Sequence, residues 1–451
     1  MEKIFNLSEA GTSPRNEVVG GVTTFLSMVY ILAVNPSILS AAGMNASAVF
    51  TATTVSAAFA TLLMAFLANY PVALASGMGL NAYFAYTVCG DLAKAGVQDP
   101  WQVALAAVLV EGICFILLTL CKFREALVND LPRNLKLGIT SGIGLFIAFI
   151  GMENAGIVVD SESTLVTLGD LGSAPVALAL IGLLVVIILW HFKVPGYILW
   201  GILVTWALGM IAQVGGWYHV DPAAGSYSVF PDLSGGIHIA APPAFQFAFS
   251  YAAHHLVDFI VVVFSFIFVD LFDTAGTLIG ICNKANLLDE NGNMPRAGRA
   301  LMSDAVGTVF GACMGTSTVT SYAESFTGVA AGARTGLASV VTGLLFLAAL
   351  PLAPVFTAIP SFATAPALMF VGLAMLDNVR DMDFTEDAAA AVSGFLAMVM
   401  MPFTDSIANG IMFGMLSFAI VRIFQGRARD VHAVVWISAA IFVVRIITLV
   451  V

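Results

Sequence analysis

Apolar windows of about 18 residues recur along almost the whole chain, each long enough to cross the hydrocarbon core of a bilayer as a helix. A water-soluble fold has no use for that many such segments in 451 residues. Composition points the same way. The chain is 59% hydrophobic and 10% charged, whereas a soluble domain runs near about 45–50% apolar and about 25% charged. In lipid a helix satisfies its own backbone, so the expected fold class is an all-α polytopic membrane protein. No secretory signal is visible, because Met1 to Glu17 is mixed and polar.

Spans are expected near 21–40, 47–69, 72–89, 100–121, 135–151, 174–191, 196–213, 251–281, 297–314, 316–331, 334–353, 364–377, 387–402 and 405–424. Placing the N-terminus in the cytoplasm puts 15 of the 17 Lys and Arg residues on the cytoplasmic side. That asymmetry supports the orientation and an even count of fourteen spans. A further apolar segment, 431–450, carries Arg445 and is expected to lie at the interface. The net charge of −11 reflects acidic connections on one side, including Asp160, Glu162 and Asp170, then Asp221 and Asp232. Trp190, Trp200, Trp206 and Trp217 are expected in an aromatic belt.

Two of these spans are interrupted. From Gly315 to Gly336 five Ser/Thr hydroxyls precede Glu324 among Gly and Ala. Small, polar and β-branched residues from Thr316 to Thr320 suit extended backbone. Gly328 and Gly332 would let a short helix pack closely on a neighbour. Irregular backbone at membrane depth survives only where it is buried in protein or lines a wet cavity. An intramembrane carboxylate there marks a functional site, so Glu324 is read as a substrate contact. The other interruption begins at Pro71, and its Gly77 and Gly79 argue for extended backbone leading into a short helix. Asn81 follows, where its amide could either cap that helix or meet a ligand.

Gly77 and Gly315 stand 238 residues apart, and the same offset sets Asn35 opposite Asp273. The long connection from Gly215 to Pro243 is expected to divide the two halves. Seven spans per half would invert the second half relative to the first. Inverted repeats with broken helices meeting near the midplane belong to secondary transporters. The span 251–281 adds Asp270 and Asp273, three apart on one helical face. Two buried acids in one helix need a partner, a cavity or a proton. Glu111, Glu153, Asp304, Asp405 and Asn409 are expected in structural roles, and His254 and His255 as interfacial polar residues.

An enzyme would need a nucleophile–base pair or ligand cluster. The six His are scattered, and the five Cys lack zinc or redox spacing and read as small buried hydrophobes. A channel would need a continuous polar stripe, which the interrupted segments do not provide. An anion or sulfate carrier would need a basic pocket, which Asp270, Asp273 and Glu324 oppose.

GMGLNAYFAY, VDLFDTAGTLIG, TSTVTSYAES followed by GV, G and RTG, and IPSFATAPAL stand in this order. Together they resemble the AzgA-like purine permeases (guanine/hypoxanthine and adenine) of the nucleobase:cation symporter-2 or xanthine-uracil permease superfamily. The resemblance covers nearly the whole chain. It implies the fourteen-span, seven-plus-seven inverted-repeat fold of the uracil permeases, with two broken half-helix segments. Residues 16–122 and 250–353 would form a substrate-holding core. Residues 133–214 and 363–424 would form a gate or scaffold, with 430–451 a C-terminal helix. It also implies proton symport with elevator-like sliding of the core, and a multi-pass position in the cytoplasmic membrane. A homodimer is implied as well; the proton is the only coupling ion expected, with no cofactor, metal or nucleic acid.

In the relatives a helix-8 glutamate reads the base. Asp273 resembles its counterpart, Glu324 the helix-10 carboxylate, and Ala323 the backbone before it. Asn81 and the backbone of Ala82 would come from helix 3. Thr277 stands where those relatives carry a proton-coupling His, so Asp270, Asp273 or Glu324 would carry the proton. Phe84 or Phe326 could stack on the purine. Guanine and hypoxanthine present an N1–H donor that a carboxylate accepts, whereas adenine presents an N1 acceptor. Guanine and hypoxanthine are therefore expected ahead of adenine, and of two acids around a neutral base one should take up a proton.

Overall fold

The computed structural model describes residues 2–121, 132–161, 163–219, 231, 239–287 and 294–450. Most of the Gly215–Pro243 connection, with Asp221 and Asp232, lies outside the described residues, as do Lys122, Arg124 and Glu162.

The chain opens with α1 (Pro14–Met28), α2 (Ile31–Ser40) and α3 (Ala46–Leu67), each of the first and third started by a side-chain cap, Ser13 and Asn45. Strand β1 (Leu74–Ser76) leads into α4 (Met78–Ala82), which continues through a wide turn, Tyr83–Val88, into α5 (Cys89–Lys94). Then come α6 (Pro100–Leu120), α7 (Arg133–Asn154), a hairpin of β2 (Val158–Ser161) and β3 (Leu165–Leu168), α8 (Ala174–His191) and α9 (Tyr197–Val214). The second half supplies α10 (Leu256–Lys284), α11 (Ala297–Met314), β4 (Val319–Ser321), α12 (Ser325–Ala330) and α13 (Gly336–Ala348). It ends with α14 (Ser361–Met375), α15 (Ala388–Phe403), α16 (Ile407–Phe424) and α17 (Ala433–Val450).

Among the described residues the regular structure is helical apart from short strands. Among the described residues eight helical segments are long and apolar enough to cross a membrane, and a bent pair, Gly336–Ala348 with Leu350–Phe356, makes up to nine. Helix α10, at 29 residues, is about 43 Å long and also has the reach. The half-helices fall short of a crossing by design of the sequence, because the chain around each is strand, not helix.

The helices pack as two bundles. In the first, α3 lies against α11 and α13, α1 against α12 and α13, and α6 against α10 and α11. In the second, α7 lies between α14 and α15, α15 packs on α16, and α8 and α9 close against α14. Glycines set the close approaches. A Cβ on Gly328 of α12 would stand 2.0 Å from Thr24 Oγ1 and 2.6 Å from the Gly20 carbonyl of α1. Helix α17 touches both bundles, through α16 and α10, with Phe442 edge-on to Phe264.

Between the half-helices β1 and β4 cross antiparallel, pairing Leu74 with Ser321, Ala75 with Thr320 and Ser76 with Val319. This is the arrangement that two segments related by a two-fold axis must adopt. It also corrects the 238-residue offset. The strands match at a larger spacing, so Gly77 and Gly315 are not counterparts. Gly77 is extended and precedes α4, whereas Gly315 ends α11 at φ +89, a left-handed position that glycine occupies without strain. Gly79, read as part of the break, is helical. Asn35, matched to Asp273 by the same offset, donates its amide to the Thr53 and Thr316 hydroxyls.

Three smaller expectations change. Trp190, Trp200 and Trp217 are about half exposed, but Trp206 is buried within the second bundle. Of the cysteines only Cys89 and Cys282 are buried. Glu17, passed over in the sequence, is fully buried and accepts the backbone N–H groups of Arg334, Thr335 and Ala338 at the start of α13. Donors in the first turn of a helix lack intrahelical partners; the one carboxylate serves Thr335 at the cap and Ala338 in the first turn, and also Arg334 just before it.

Candidate functional site

The strand crossing is buried in the first bundle, and its hydroxyls explain why so polar a stretch survives there. Thr61 both donates to the Leu74 carbonyl and accepts from its N–H. Thr316 meets Asn35 and Ser76, Ser317 donates to Asn81, and Thr318 donates to Glu111 at 2.6 Å. Tyr322 donates to the Ser76 carbonyl at 2.5 Å, and Ser325 Oγ accepts the Ala73 N–H. Buried polar groups are costly unless paired, and this network pairs them across the two halves of the chain.

A cavity of about 510 Å³ lies where the crossing meets the second bundle. Small-molecule sites span about 300–1,000 Å³. On one side it is lined by Gly77, Met78 and Gly79, by Asp273 and Thr277 of α10, and by Thr320 through Glu324. On the other side stand Ile143 and Ile147 of α7, Tyr197 of α9, Phe370 of α14 and Asn378. Asp273 and Thr277, one helical turn apart, share a face. None of the described lining residues is Lys, Arg or His. The Ser321 hydroxyl, buried in the cavity wall, has no hydrogen-bond partner among the described residues.

The structure brings together Asp273, Glu324, Ala323, Thr277 and Phe326, and leaves Asn81, Ala82, Phe84 and Asp270 off the cavity. Asn81 is fully buried and holds Ser317. It is not the cap of α4, a place that Gly77 occupies. The cavity instead meets the first residues of that half-helix, Gly77 to Gly79, which the spacing argument overshot by one turn. Asp270 accepts from Thr274 at 2.9 Å, and the same hydroxyl lies 3.0 Å from Asp304 and 2.7 Å from Thr320. Asp270 and Asp304 are thus tied through one threonine to a cavity-lining strand.

Sequence reasoning missed Tyr30. It sits at the junction of α1 and α2, fully buried, and its phenol donates to Glu324 Oε1 at 2.5 Å. Nothing in its apolar neighbourhood signals this, since the partner lies 294 positions away. Tyr197, Phe370 and Asn378 were likewise invisible, because they belong to helices whose pattern is that of ordinary spans.

Comparison with known proteins places this geometry. A profile described as a permease family, of the xanthine/uracil type, matches residues 15–413. The guanine/hypoxanthine permease PbuG of Bacillus subtilis is 41% identical over 463 residues, covering 100% of each chain. The adenine permease AdeP of Escherichia coli is 41% identical over 450 residues, covering 99% of this chain and 96% of that one. The transmembrane domain of the cyanobacterial bicarbonate transporter BicA shares the fold, at TM-score 0.66 and 17% identity over 87% of this chain and 96% of that chain. The chain therefore belongs to the xanthine/uracil permease family, on its purine-permease branch: it is a membrane transporter and not an enzyme.

Proposed function

We propose that this protein imports purine nucleobases with protons across the cytoplasmic membrane, taking guanine and hypoxanthine ahead of adenine. The observation that carries the reading is the placing of two carboxylates, Asp273 and Glu324, on one wall of the cavity beside the Ser321 hydroxyl, which has no hydrogen-bond partner among the described residues. Carboxylates accept from purine N1–H and from the guanine amine. The amides at the start of α4 and the Ser321 hydroxyl can donate to O6. A site built to hydrogen-bond one edge rejects another, whose mismatch leaves its own buried groups unpaired. Two acids about a neutral heterocycle repel in a low dielectric, so substrate and one proton enter together. Asp270 and Asp304, linked through Thr274, are the alternative holders of that proton.

The two bundles suit an elevator: the first carries the site, the second is the fixed gate, and in the membrane the gate is the surface on which two copies would pair. In the orientation set by the basic residues, Thr140, Tyr197 and Asn378 line the cytoplasmic half of the cavity. At the opposite end Asn154 donates to Tyr86 at 3.0 Å and Thr87 donates to the Asp405 carbonyl at 3.1 Å, tying the bundles shut. This is an inward-facing arrangement. An anion carrier is disfavoured because the described lining has acids and no basic residue.

The test is uptake of radiolabelled hypoxanthine in competition with guanine, adenine, xanthine and uracil, with and without an uncoupler. Guanine should compete best and the uncoupler should stop accumulation. Competition by adenine alone would reverse the substrate order, and indifference to the uncoupler would remove the proton.

A further inference from the structure

Tyr30 does not line the cavity, yet it touches the residue that does. We propose that Tyr30 decides which purine edge the site can read, by pinning one oxygen of the Glu324 carboxyl. The inference rests on the purine-transport reading above and adds to it a positioning residue on α1–α2.

The phenol is a donor, Glu324 Oε1 lies 2.5 Å away, and Tyr30 itself is fully buried. While the phenol donates to it, Oε1 is the acceptor, and a proton that the carboxyl gains then sits on Oε2. The second oxygen alone then faces the choice: it accepts while the group is ionised and donates once it is protonated. Hypoxanthine and guanine offer N1–H to an acceptor, whereas adenine offers a lone pair to a donor. With Oε1 occupied, one protonation state serves one edge only. Without the phenol the carboxyl can turn and place its proton on either oxygen, so both edges find a partner.

The neighbouring contacts fit this role. Thr327 donates to the Glu324 carbonyl at 2.7 Å and its oxygen lies 2.9 Å from the Ser27 hydroxyl, so the backbone of Glu324 is held independently of its side chain. Tyr30 therefore is not needed to build the loop; it orients the carboxyl. Tyr30 and Glu324 both belong to the first bundle, so the contact travels with the site and acts at each stage of transport.

The experiment compares wild type with Tyr30→Phe in proteoliposomes carrying a pH gradient, measuring hypoxanthine KM and maximal rate and the inhibition constants of guanine and adenine. Expected for Tyr30→Phe is a fall of about tenfold or more in discrimination between the preferred and rejected purine, the scale set by one hydrogen bond to a charged group. KM should rise while the maximal rate stays within about twofold, which loss of packing alone would not produce. Unchanged discrimination and KM in a variant that transports would overturn the proposal and leave the transport reading intact. Absence of purine uptake by wild type would overturn the transport reading and this inference with it. If Tyr30→Phe does not reach the membrane, 3-fluorotyrosine at position 30 keeps ring and hydroxyl and strengthens the donor. Discrimination should then rise, and no change would equally overturn the proposal.

Discussion

Gly79→Ala tests the idea that the two bundles slide past one another. Gly79 sits in α4 of the first bundle, and an added Cβ would stand 2.6 Å from Ile143 Cγ2 of the second. Carbon atoms prefer about 3.5–4.0 Å, so one helix must retreat by about 1 Å. Ile143 cannot easily yield, because a β-branched side chain in a helix has one favoured rotamer. Overpacking of this kind costs about 1–3 kcal/mol. Against it stands the better helix propensity of Ala over Gly, about 1 kcal/mol. The two effects act differently. The helix gain is present in every conformation, whereas the clash exists only where Gly79 faces Ile143. The equilibrium between conformations should therefore move by the whole clash, about 5- to 150-fold away from the state seen here. Initial uptake rates in proteoliposomes should fall accordingly, and Ile143→Ala in the same chain should restore them. A Gly79→Ala protein that transports at the normal rate would refute the sliding interface at this contact. So would a double variant no faster than the single one.

Other outcomes can be stated briefly. Glu324→Gln and Asp273→Asn should each abolish uptake while protein remains in the membrane at normal amounts, and normal transport by either removes that side chain from the site. Asp270→Asn should keep purine binding, since Asp270 lies off the cavity, but lose accumulation against a gradient; lost binding in equilibrium measurements would count against this. Asn81→Ala deprives the buried Ser317 hydroxyl of its acceptor and should lower stability by about 1–3 kcal/mol, read as a fall in the melting midpoint of detergent-solubilised protein. Glu17→Ala strips an acceptor from three backbone donors at the start of α13 and should lower the same midpoint at least as much.

Much of the fold was legible because lipid allows few solutions. Long apolar runs must be helices, and a polar, glycine-rich interruption must be buried in protein. That logic found both broken segments, put Glu324 in one of them, and set Asp273 inside a long span. It failed where the answer depended on one turn of helix or on distant partners. Asn81 looked like a ligand residue because it follows the break, but the half-helix starts earlier, at Met78, and turns Asn81 into the bundle. The repeat offset failed because two glycines were matched that serve different purposes, one extended and one left-handed.

Hydrophobicity and charge along the chain thus determined that it spans a membrane, where it breaks, and that Asp270, Asp273 and Glu324 lie inside, though not that Glu17 does. These are properties of single residues and their near neighbours. Tertiary structure alone decided that Tyr30 reaches Glu324, that Thr274 joins Asp270 to Asp304, and that the cavity begins at Gly77. Each of those is a contact between segments far apart in sequence, and its direction is set by how helices rotate and cross when their small residues let them meet. No periodicity within one helix records that rotation, so the partners become visible only once the bundles have packed.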